Sequence, residues 1–333
     1  MLGTGKAALR RSLAVLAATL LATGASACAN SDKGGSGTTD DGKITLGFSQ
    51  VGAESGWRTA NTTSIKDAAA AAGIELKFDD AQQKQENQIK AIRNYIQQKV
   101  DVIAFSPVVE SGWDTVLKEA KDAGIPVILT DRAVDSQDKT LYKTFLGSDF
   151  VKEGRLSGEW LVNETKSATG PLNIVELQGT TGSSPAIDRA KGFRQMIKGN
   201  KNLKIIASQT GEFTRAKGKE VMAAFLKANP NIDLLFAHND DMGLGAIEAI
   251  EEAGLKPGKD IKIVTIDAVH DGMVALSQGK INFIAECSPL LGPQLMSLVK
   301  KVKAGQAVPR RIVTVETTFT PAQAKAALPK RKY

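Results

Sequence analysis

The regular alternation of short apolar runs with longer helical segments, from residue 43 onward, most constrains how this chain can fold. Strand–helix–strand repeats of this kind specify parallel sheets covered by helices on both faces. The apolar runs predict strands at 44–49, 74–78, 100–105, 126–130, 141–146, 172–177, 203–208, 234–237, 261–266 and 281–285. Helical periodicity predicts helices at 59–72, 85–98, 113–123, 152–163, 187–197, 215–228, 243–253 and 292–302.

The number of strands favours two lobes over one. Ten strands exceed what one doubly wound sheet of this length usually holds, so we predict an α/β fold of two Rossmann-like lobes with parallel sheets. The first lobe is expected to end near Gly147, because the alternation restarts there with Asp149 placed to cap a new helix. Composition alone leaves open whether the late segment 287–305 returns to the first lobe.

The first 27 residues contain the three parts of an export signal. These are basic residues, an apolar run and small residues, at Lys6, Arg10, Arg11, 13–22 and 24–27. Cys28 follows directly, which is typical of bacterial lipoprotein signals, so we predict removal of residues 1–27 and lipidation of Cys28. Ala25 stands where such signals usually carry Leu, which leaves an ordinary cleaved signal as an alternative. A short membrane anchor is disfavoured, because the run falls well below the ~20 residues of a spanning helix.

Residues 28–42 are small and polar, and we predict a flexible tether on the order of 20 Å long. An acylated Cys28 ahead of this tether would hold the folded body at the outer face of the cell membrane. The lipid would be its membrane contact. If the lipid signal is not used, the expected location is the periplasm.

Composition and charge exclude several classes of function. The chain carries a net charge of +7, and the signal contains three of its basic residues and no acidic ones. The remaining Lys and Arg are spread along the sequence, so we predict no nucleic-acid partner. Cys287 would have no disulfide partner beside an acylated Cys28, and we expect it to be a small buried hydrophobe. His238 and His270 are too few and too far apart for a metal cluster, and no metal or cofactor is predicted.

Polar and aromatic side chains follow nearly every predicted strand. Ligands of open α/β sheets bind at the carboxyl ends of the strands. The candidate residues there are Glu54, Ser55, Trp57, Arg58, Asp131, Arg132, Asp188, Arg189, Glu212, Phe213, His238, Asn239, Asp240, Asp241, Asp267 and Glu286. Structural roles are the alternative: Asp149, Asp188 and Asp240 are suited to cap helices, and Trp57 and Phe213 to fill a core.

The candidate residues together suit a polyhydroxylated ligand. Arg supplies forked donors, Asp and Asn supply acceptors, and aromatic faces pack on apolar C–H surfaces. Four acids (Glu54, Asp131, Asp267, Glu286) stand against three arginines (Arg58, Arg132, Arg189), so the set has no excess of positive charge. A neutral polyol is therefore favoured over an anion.

No catalytic motif emerges from the sequence, and we predict that the protein is not an enzyme. A Gly-x-Ser-x-Gly elbow and a His-Glu-x-x-His motif are absent from the sequence. Asp267 near His238 would resemble a general-base pair, and acidic pairs at a sugar site raise the alternative of glycoside cleavage. Turnover of a labelled glycoside would distinguish such an enzyme from a binding protein.

Five segments resemble the ribose/galactose-type periplasmic sugar-binding proteins of ABC importers, and among them the galactofuranose-binding kind. The segments are 47–58, 82–91, 186–189, 211–215 and 237–242. The resemblance runs from about residue 43 to past Pro293. It implies a type I periplasmic binding protein fold, with three crossovers between the lobes and the sugar in the cleft between them.

The resemblance also implies which residues contact sugar and where the lobes divide. Glu54, Ser55, Trp57, Arg58, Asp131 and Arg132 would contact sugar from the first lobe, and Arg189, Asn239, Asp267, Phe213 and Glu286 from the second. The first lobe would comprise 43–146 and about 287–308, the second 147–286 and about 309–320, with a C-terminal tail at 321–333.

The expected function is that of a lipid-anchored, monomeric solute-binding component that delivers a neutral monosaccharide to an ABC permease. Hinge closure of the two lobes would bury the sugar. A sugar sensor that signals to a membrane receptor or sensor kinase is the alternative, because its binding chemistry would be the same. A DNA-binding repressor of the same fold is set aside, since residues 1–42 hold a signal and a tether.

Overall fold

The computed structural model describes residues 42–333. The predicted signal, the lipidation site at Cys28 and the predicted tether up to residue 41 lie outside the described residues. Within the described range, no helix combines the length and apolar character needed to cross a membrane.

The first sheet has six strands, all parallel, in the order β2-β1-β3-β4-β5-β11. Its strands are β1 (Thr45–Gln50), β2 (Glu75–Asp80), β3 (Val102–Phe105), β4 (Val127–Thr130), β5 (Thr144–Gly147) and β11 (Arg311–Val313). The chain order reverses between β1 and β3, and such a reversal opens a crevice at the carboxyl ends of the strands.

The second sheet repeats that order, as β7-β6-β8-β9-β10-β12. Its strands are β6 (Leu172–Gln178), β7 (Leu203–Thr210), β8 (Leu234–Ala237), β9 (Lys262–Asp267), β10 (Phe283–Glu286) and β12 (Thr318–Phe319). Only β12 runs antiparallel to its neighbour, β10. The prediction of an α/β fold with two Rossmann-like lobes is confirmed.

Ten helices cover the sheets within residues 42–333. They are α1 (Gly56–Ala72), α2 (Gln85–Gln97), α3 (Asp114–Asp122), α4 (Phe150–Glu164), α5 (Ser184–Ile197), α6 (Arg215–Ala228), α7 (Asp240–Glu252), α8 (His270–Ser277), α9 (Gly292–Lys303) and α10 (Pro321–Ala327). Local signals explain their ends: α1 begins after Ser55, whose side chain accepts a hydrogen bond from the Arg58 amide, and it ends at Gly73 in the left-handed conformation.

Three crossovers join the lobes. The chain leaves the first sheet between β5 and α4, returns between β10 and α9, and leaves again between β11 and β12. Helix α9 packs on α1 so closely that a side chain at Gly292 would come 2.0 Å from the Ser64 carbonyl oxygen. The late segment therefore returns to the first lobe.

The predicted boundary of the third crossover is wrong. Residues 311–313 form β11 and pair with β5 in the first sheet, so this strand does not belong to the second lobe as the range 309–320 implied. The third crossover lies at 314–317, after a strand too short to be recognised from periodicity. The segment 321–333 contains α10, which packs against α8 of the second lobe.

Candidate functional site

A cavity between the carboxyl ends of the two sheets gathers most of the predicted site residues. It is lined by Glu54, Ser55, Trp57, Arg58, Asp131, Arg132, Phe150, Pro185, Arg189, Phe213, Asn239, Asp267 and Cys287. Ten of the eleven residues predicted to contact sugar are in this lining. Their role in binding sugar stays a prediction.

Arg58 organises the part of the site that the first lobe contributes. Its guanidinium lies 3.0 Å from Glu54 Oε1, 2.8 Å from Asp131 Oδ2 and 3.1 Å from Gln50 Oε1. Burial alone would raise the pKa of Glu54, but the charges of Arg58 and Arg132 outweigh it and hold that pKa below its ordinary value. Glu54 is therefore ionised in the cleft.

Arg132 lies beside this cluster with unused donor capacity. Its Nη1 donates to the Val108 carbonyl at 3.2 Å, and its Nε lies 3.8 Å from Asp131 Oδ2, beyond hydrogen-bond distance. Burial and the charge of Arg58 lower the pKa of Arg132 to about 10, so it remains a cation at neutral pH. The guanidinium stacks 5.3 Å from the Phe213 ring centroid, which is a cation–π contact.

Arg189 is the cation that the second lobe contributes. Its Nε donates to Glu153 Oε2 at 2.8 Å, its Nη1 to the His238 carbonyl at 2.6 Å, and its Nη2 lies 3.5 Å from Asp267 Oδ1. Burial raises the pKa of Asp267 well above its ordinary value; Arg189 opposes the rise, and the nearby Asp240 adds to it. Asp267 therefore holds its proton to higher pH than an exposed aspartate.

Backbone geometry fixes several of these side chains. Asp131, Phe213 and Asp267 have positive φ values of 62°, 62° and 122°, a region that non-glycine residues rarely adopt. Non-glycine residues in such conformations cluster at functional sites, where surrounding contacts hold them. The Phe213 ring also lies against Gly179, where a Cβ would come 1.8 Å from the ring.

Trp57 lies both in the cavity wall and in an apolar core, the two positions that the sequence left open for it. It lines the cavity, and its indole Nε1 donates to the Cys287 carbonyl at 2.7 Å. It also belongs to an apolar cluster that includes Phe150 and Cys287. The ring is therefore held rigidly at the cleft wall.

Glu286 does not line the cavity, and its role as a sugar contact stays a prediction. Its carboxylate accepts hydrogen bonds from Arg331 Nη1 at 2.7 Å, from Tyr333 Oη at 3.1 Å and from the Thr317 amide at 3.1 Å. Successive side chains of a strand point to opposite faces of the sheet. Ala285 and Cys287 belong to the apolar cluster that contains Trp57, whereas the Glu286 carboxylate is bonded to the C-terminal segment.

Two of the three predicted helix caps also differ from the structure. Asp149 caps α4 and accepts from the Lys152 amide, as predicted. Asp188 lies inside α5, after the N-cap Ser183. Asn239, not Asp240, caps α7, and the buried Asp240 carboxylate accepts from the Val269 amide and Thr265 Oγ1.

Sequence reasoning missed three residues of the lining: Phe150, Pro185 and Cys287. Cys287 was expected to be buried, and it is, with 1% of its surface exposed. The alternation of side chains along β10 carried the missing signal, since it places residues 285 and 287 on one face and Glu286 on the other. Phe150 and Pro185 sit in first helical turns at the cleft, a position that periodicity does not mark.

One group of side chains within residues 42–333 has the composition of a metal site. One ligand atom from each of Glu153, Cys287 and Glu316 lies within 4.8 Å of the other two. The Arg189 guanidinium already pairs with Glu153 and supplies positive charge there. The ion pair with Arg189 therefore gives the buried Glu153 carboxylate a partner without a metal ion.

The fold and the cleft define a two-lobed binding protein, and comparison with known proteins agrees. The chain matches the periplasmic binding protein domain family over residues 46–307. It belongs to the periplasmic binding protein family, whose members here are solute-binding proteins rather than enzymes.

Three relatives illustrate the similarity. The galactofuranose-binding protein YtfQ of Escherichia coli is 53% identical over 87% of this chain and 92% of its own length. A Mycobacterium smegmatis protein solved in complex with β-D-fucofuranose is 67% identical, with a TM-score of 0.86 over 87% of this chain and 95% of that one. The binding component of the arabinose ABC transporter of Shewanella sp. ANA-3, bound to α- and β-L-arabinofuranose, is 51% identical, with a TM-score of 0.83 over 87% and 96% of the two chains.

Proposed function

We propose that this protein is the sugar-binding component of an ABC importer and that it binds a neutral monosaccharide in its furanose form. The observation that carries this proposal is a pair of buried polar atoms in the cavity lining. Arg132 Nε and Glu54 Oε2 have no hydrogen-bond partner among residues 42–333. Buried polar atoms without partners are unfavourable, so a ligand that satisfies both gains affinity.

These two atoms specify complementary groups on the ligand. The guanidinium nitrogen donates a hydrogen bond, and the ionised carboxylate oxygen accepts one. A sugar hydroxyl can do both, as acceptor and as donor, and neighbouring hydroxyls can engage the two residues together. The Trp57 and Phe213 rings offer apolar faces beside them.

Charge in the lining favours a neutral ligand. Three acids, Glu54, Asp131 and Asp267, face three arginines, Arg58, Arg132 and Arg189. Glu286 does not line the cavity, so the numbers of acids and arginines in the lining are equal. When all three acids are ionised, a sugar acid or sugar phosphate would add a negative charge that this set does not balance.

The relatives support the furanose form. Proteins that share 67% and 51% of this sequence were solved with β-D-fucofuranose and L-arabinofuranose, and a 53% identical protein is named for galactofuranose. These sugars share a five-membered ring and differ at one end of the molecule. We therefore propose that the cleft selects the ring and its hydroxyls.

Hinge closure of the lobes around the sugar is part of the proposal. The cavity measures about 20 Å³, as the space open to the centre of a water-sized sphere. A sugar can enter so small a space only if the lobes separate. Hydrogen bonds between the lobes support a closed arrangement, such as Gly56 N to Asp241 Oδ2 at 2.9 Å and Ala133 N to Ser184 Oγ at 3.0 Å.

Anchoring and delivery complete the proposal. Lipidation of Cys28 would hold a monomeric protein close to its membrane permease, and mass spectrometry of the mature N-terminus tests this directly. Import is favoured over signalling to a sensor kinase because a relative 51% identical is a component of an ABC transporter.

Calorimetry with a panel of sugars tests the binding function. D-galactose, D-fucose and L-arabinose should bind, whereas glucuronic acid and galactose 1-phosphate should not. The ring form is tested by ¹³C NMR of protein-bound sugar labelled at C1, which should show a furanose resonance even though pyranose dominates in free solution.

Two results would contradict the proposal. Absence of binding heat with every neutral monosaccharide would reject sugar as the ligand. A bound pyranose resonance would reject the furanose assignment while leaving sugar binding in place.

A further inference from the structure

Side chains from all three crossovers meet beside the Arg189 guanidinium. Ser148 belongs to the first crossover, Cys287 to the second, and Glu316 to the third. Ser148 Oγ lies 3.3 Å from Cys287 Sγ and donates to Glu316 Oε1. Hinge residues of two-lobed proteins are few and absorb most of the movement, so a cluster at this place is well situated to sense it.

Glu153 connects this hinge cluster to the binding site. One of its oxygens, Oε2, accepts the 2.8 Å bond from Arg189 Nε. The other, Oε1, has no hydrogen-bond partner in the part of the chain that the structure describes, although the residue is only 2% exposed. One carboxylate oxygen of Glu153 lies within 4.8 Å of both Cys287 and Glu316.

The position of Glu153 relative to Arg189 is fixed by close helix packing. A Cβ at Gly154, the next residue of α4, would come 2.2 Å from the Arg189 carbonyl oxygen in α5. A Cβ at Gly192 would come 2.1 Å from the Val151 carbonyl oxygen. The two helices therefore meet at glycines, and the carboxylate and the guanidinium are held in register.

We propose that Glu153 is a positioning residue for sugar binding, which holds Arg189 in the cleft beside the hinge residues Cys287 and Glu316. This inference rests on the proposed function, because it assumes that Arg189 contacts sugar. Glu153 does not line the cavity and acts through the guanidinium alone.

Proton binding by Glu153 gives this role a measurable signature. Burial raises the pKa of Glu153 to about 8; Arg189 opposes the rise, and Glu316 adds to it. The charged and titratable groups that face Glu153 are Arg189, Glu316, Cys287 and Asp267. A proton on Glu153 removes the charge that assists its bond to Arg189, so sugar affinity should rise with pH through this titration.

The first test is calorimetry of Glu153→Gln with D-galactose, D-fucose and L-arabinose. Glutamine keeps an oxygen for Arg189 but loses the charge, and charge-assisted hydrogen bonds are worth more than neutral ones. Above about pH 8, where Glu153 is ionised in the unmodified protein, we expect affinity to fall about tenfold to a hundredfold. We also expect its rise with pH to be reduced. Asp267 still titrates in this variant. Glu159→Gln is the matched control, since Glu159 is exposed on the same helix.

Two further variants distinguish positioning from a general structural role. In the Arg189→Lys background, Glu153→Gln should weaken binding much less than it does alone, because both changes affect one guanidinium contact. Glu316→Gln should move the pH-dependent rise in affinity to lower pH, because it removes the negative charge that raises the pKa of Glu153.

The outcomes separate this inference from the proposed function. If the unmodified protein binds none of the sugars, the proposed function fails. If it binds sugar and Glu153→Gln matches Glu159→Gln in affinity and pH profile, the positioning role is rejected. Equal losses from Glu153→Gln in the native and Arg189→Lys backgrounds would also reject it.

Discussion

The two lobes have the same strand order but contribute electrostatically different halves of the cleft. In the first lobe, Arg58 and Arg132 face Glu54 and Asp131, so cations and acids are matched. In the second lobe, Arg189 faces Glu153 and Asp267, with Asp240 close to Asp267. The second lobe therefore has more buried acid than cation.

Because of this difference, the charge of the first lobe's half of the site should stay constant near neutral pH, whereas the charge of the second lobe's half should depend on proton binding. The pKa of Glu54 in the first lobe is held low by two arginines despite its burial. Burial raises the pKa values of Asp267, Asp240 and Glu153 in the second lobe, where one arginine opposes the rise for Asp267 and Glu153. One sheet topology can thus support either arrangement, depending on which side chains follow its strands.

The largest expected effect is the loss of the cation in the first lobe. Arg58→Met removes the guanidinium that lies within 3.0 Å of both Glu54 and Asp131, and breaking a buried ion pair costs about 3–5 kcal/mol. Urea unfolding should show a decrease of that size in the free energy of unfolding. Arg93→Met is the control, because its pair with Glu119 is largely exposed and its loss should leave the free energy of unfolding nearly unchanged. Equal decreases for the two variants would contradict the conclusion that Arg58 balances the buried acids of the first lobe.

Loss of the second lobe's cation should act more on sugar binding. Arg189→Met removes a donor and leaves buried acceptors unpaired, so affinity should fall by about 2–3 kcal/mol, or roughly fiftyfold. Calorimetry with D-galactose or L-arabinose measures this. Arg155→Met serves as control, since Arg155 bonds Gln195 on the exposed side of α4. Unchanged affinity in Arg189→Met would show that Arg189 does not contribute to sugar binding.

Stability should depend on pH through the acids of the second lobe. A carboxyl group whose pKa is raised on folding binds more protons in the folded state, so the free energy of unfolding falls as pH rises from about 4 toward neutral. Asp240→Asn should reduce this fall, by about 1 kcal/mol or more across the range. Urea unfolding at a series of pH values tests it, and an identical pH profile for both proteins would contradict it.

The contact between Gly179 and Phe213 should influence affinity more modestly. Gly179→Ala places a methyl group where the Phe213 ring lies, so the ring must shift, which disturbs its contacts with Arg132 and Arg189. We expect sugar affinity to fall by about 1 kcal/mol, the scale of an aromatic or cation–π contact. Gly170→Ala is the matched control, with no atom within 4 Å of its added Cβ. Equal affinity of the two variants would show that the ring position is unimportant.

The smallest expected effect on binding is that of Glu286→Gln. Its carboxylate pairs with Arg331 outside the cavity, so sugar affinity should remain within about twofold of the unmodified protein. The melting temperature should decrease slightly, because the partly buried pair with Arg331 is weakened. A tenfold loss of affinity would indicate that Glu286 contacts the sugar.

Sequence reasoning was most successful where local chemistry decides the outcome. All ten predicted strands are present, and α6 has the predicted bounds. Periodicity failed for β11 and β12, which have three and two residues, because so short a strand has no measurable alternation. Helix α8 was also missed, and it begins three residues after β9 ends.

Most of the predicted site residues lie close together because the carboxyl ends of parallel strands meet at one edge of a sheet. That rule brought ten residues to one cavity. Glu286 lies outside the lining of that cavity, since a position near a strand end does not by itself tell to which face the side chain points. The equal number of acids and arginines in the lining became visible once Glu286 was placed with Arg331.

The sequence by itself determined the two-lobed α/β architecture and most of the residues at the cleft, because both follow from periodicities and strand ends within short segments. The tertiary structure decided that β11 joins the first sheet and β12 the second, and that Ser148, Cys287 and Glu316 meet beside Glu153. Several of these contacts join distant segments: Ser148 lies 139 residues from Cys287 and 168 from Glu316. The packing of whole sheets and helices brings them together, and no local pattern in the chain records that packing.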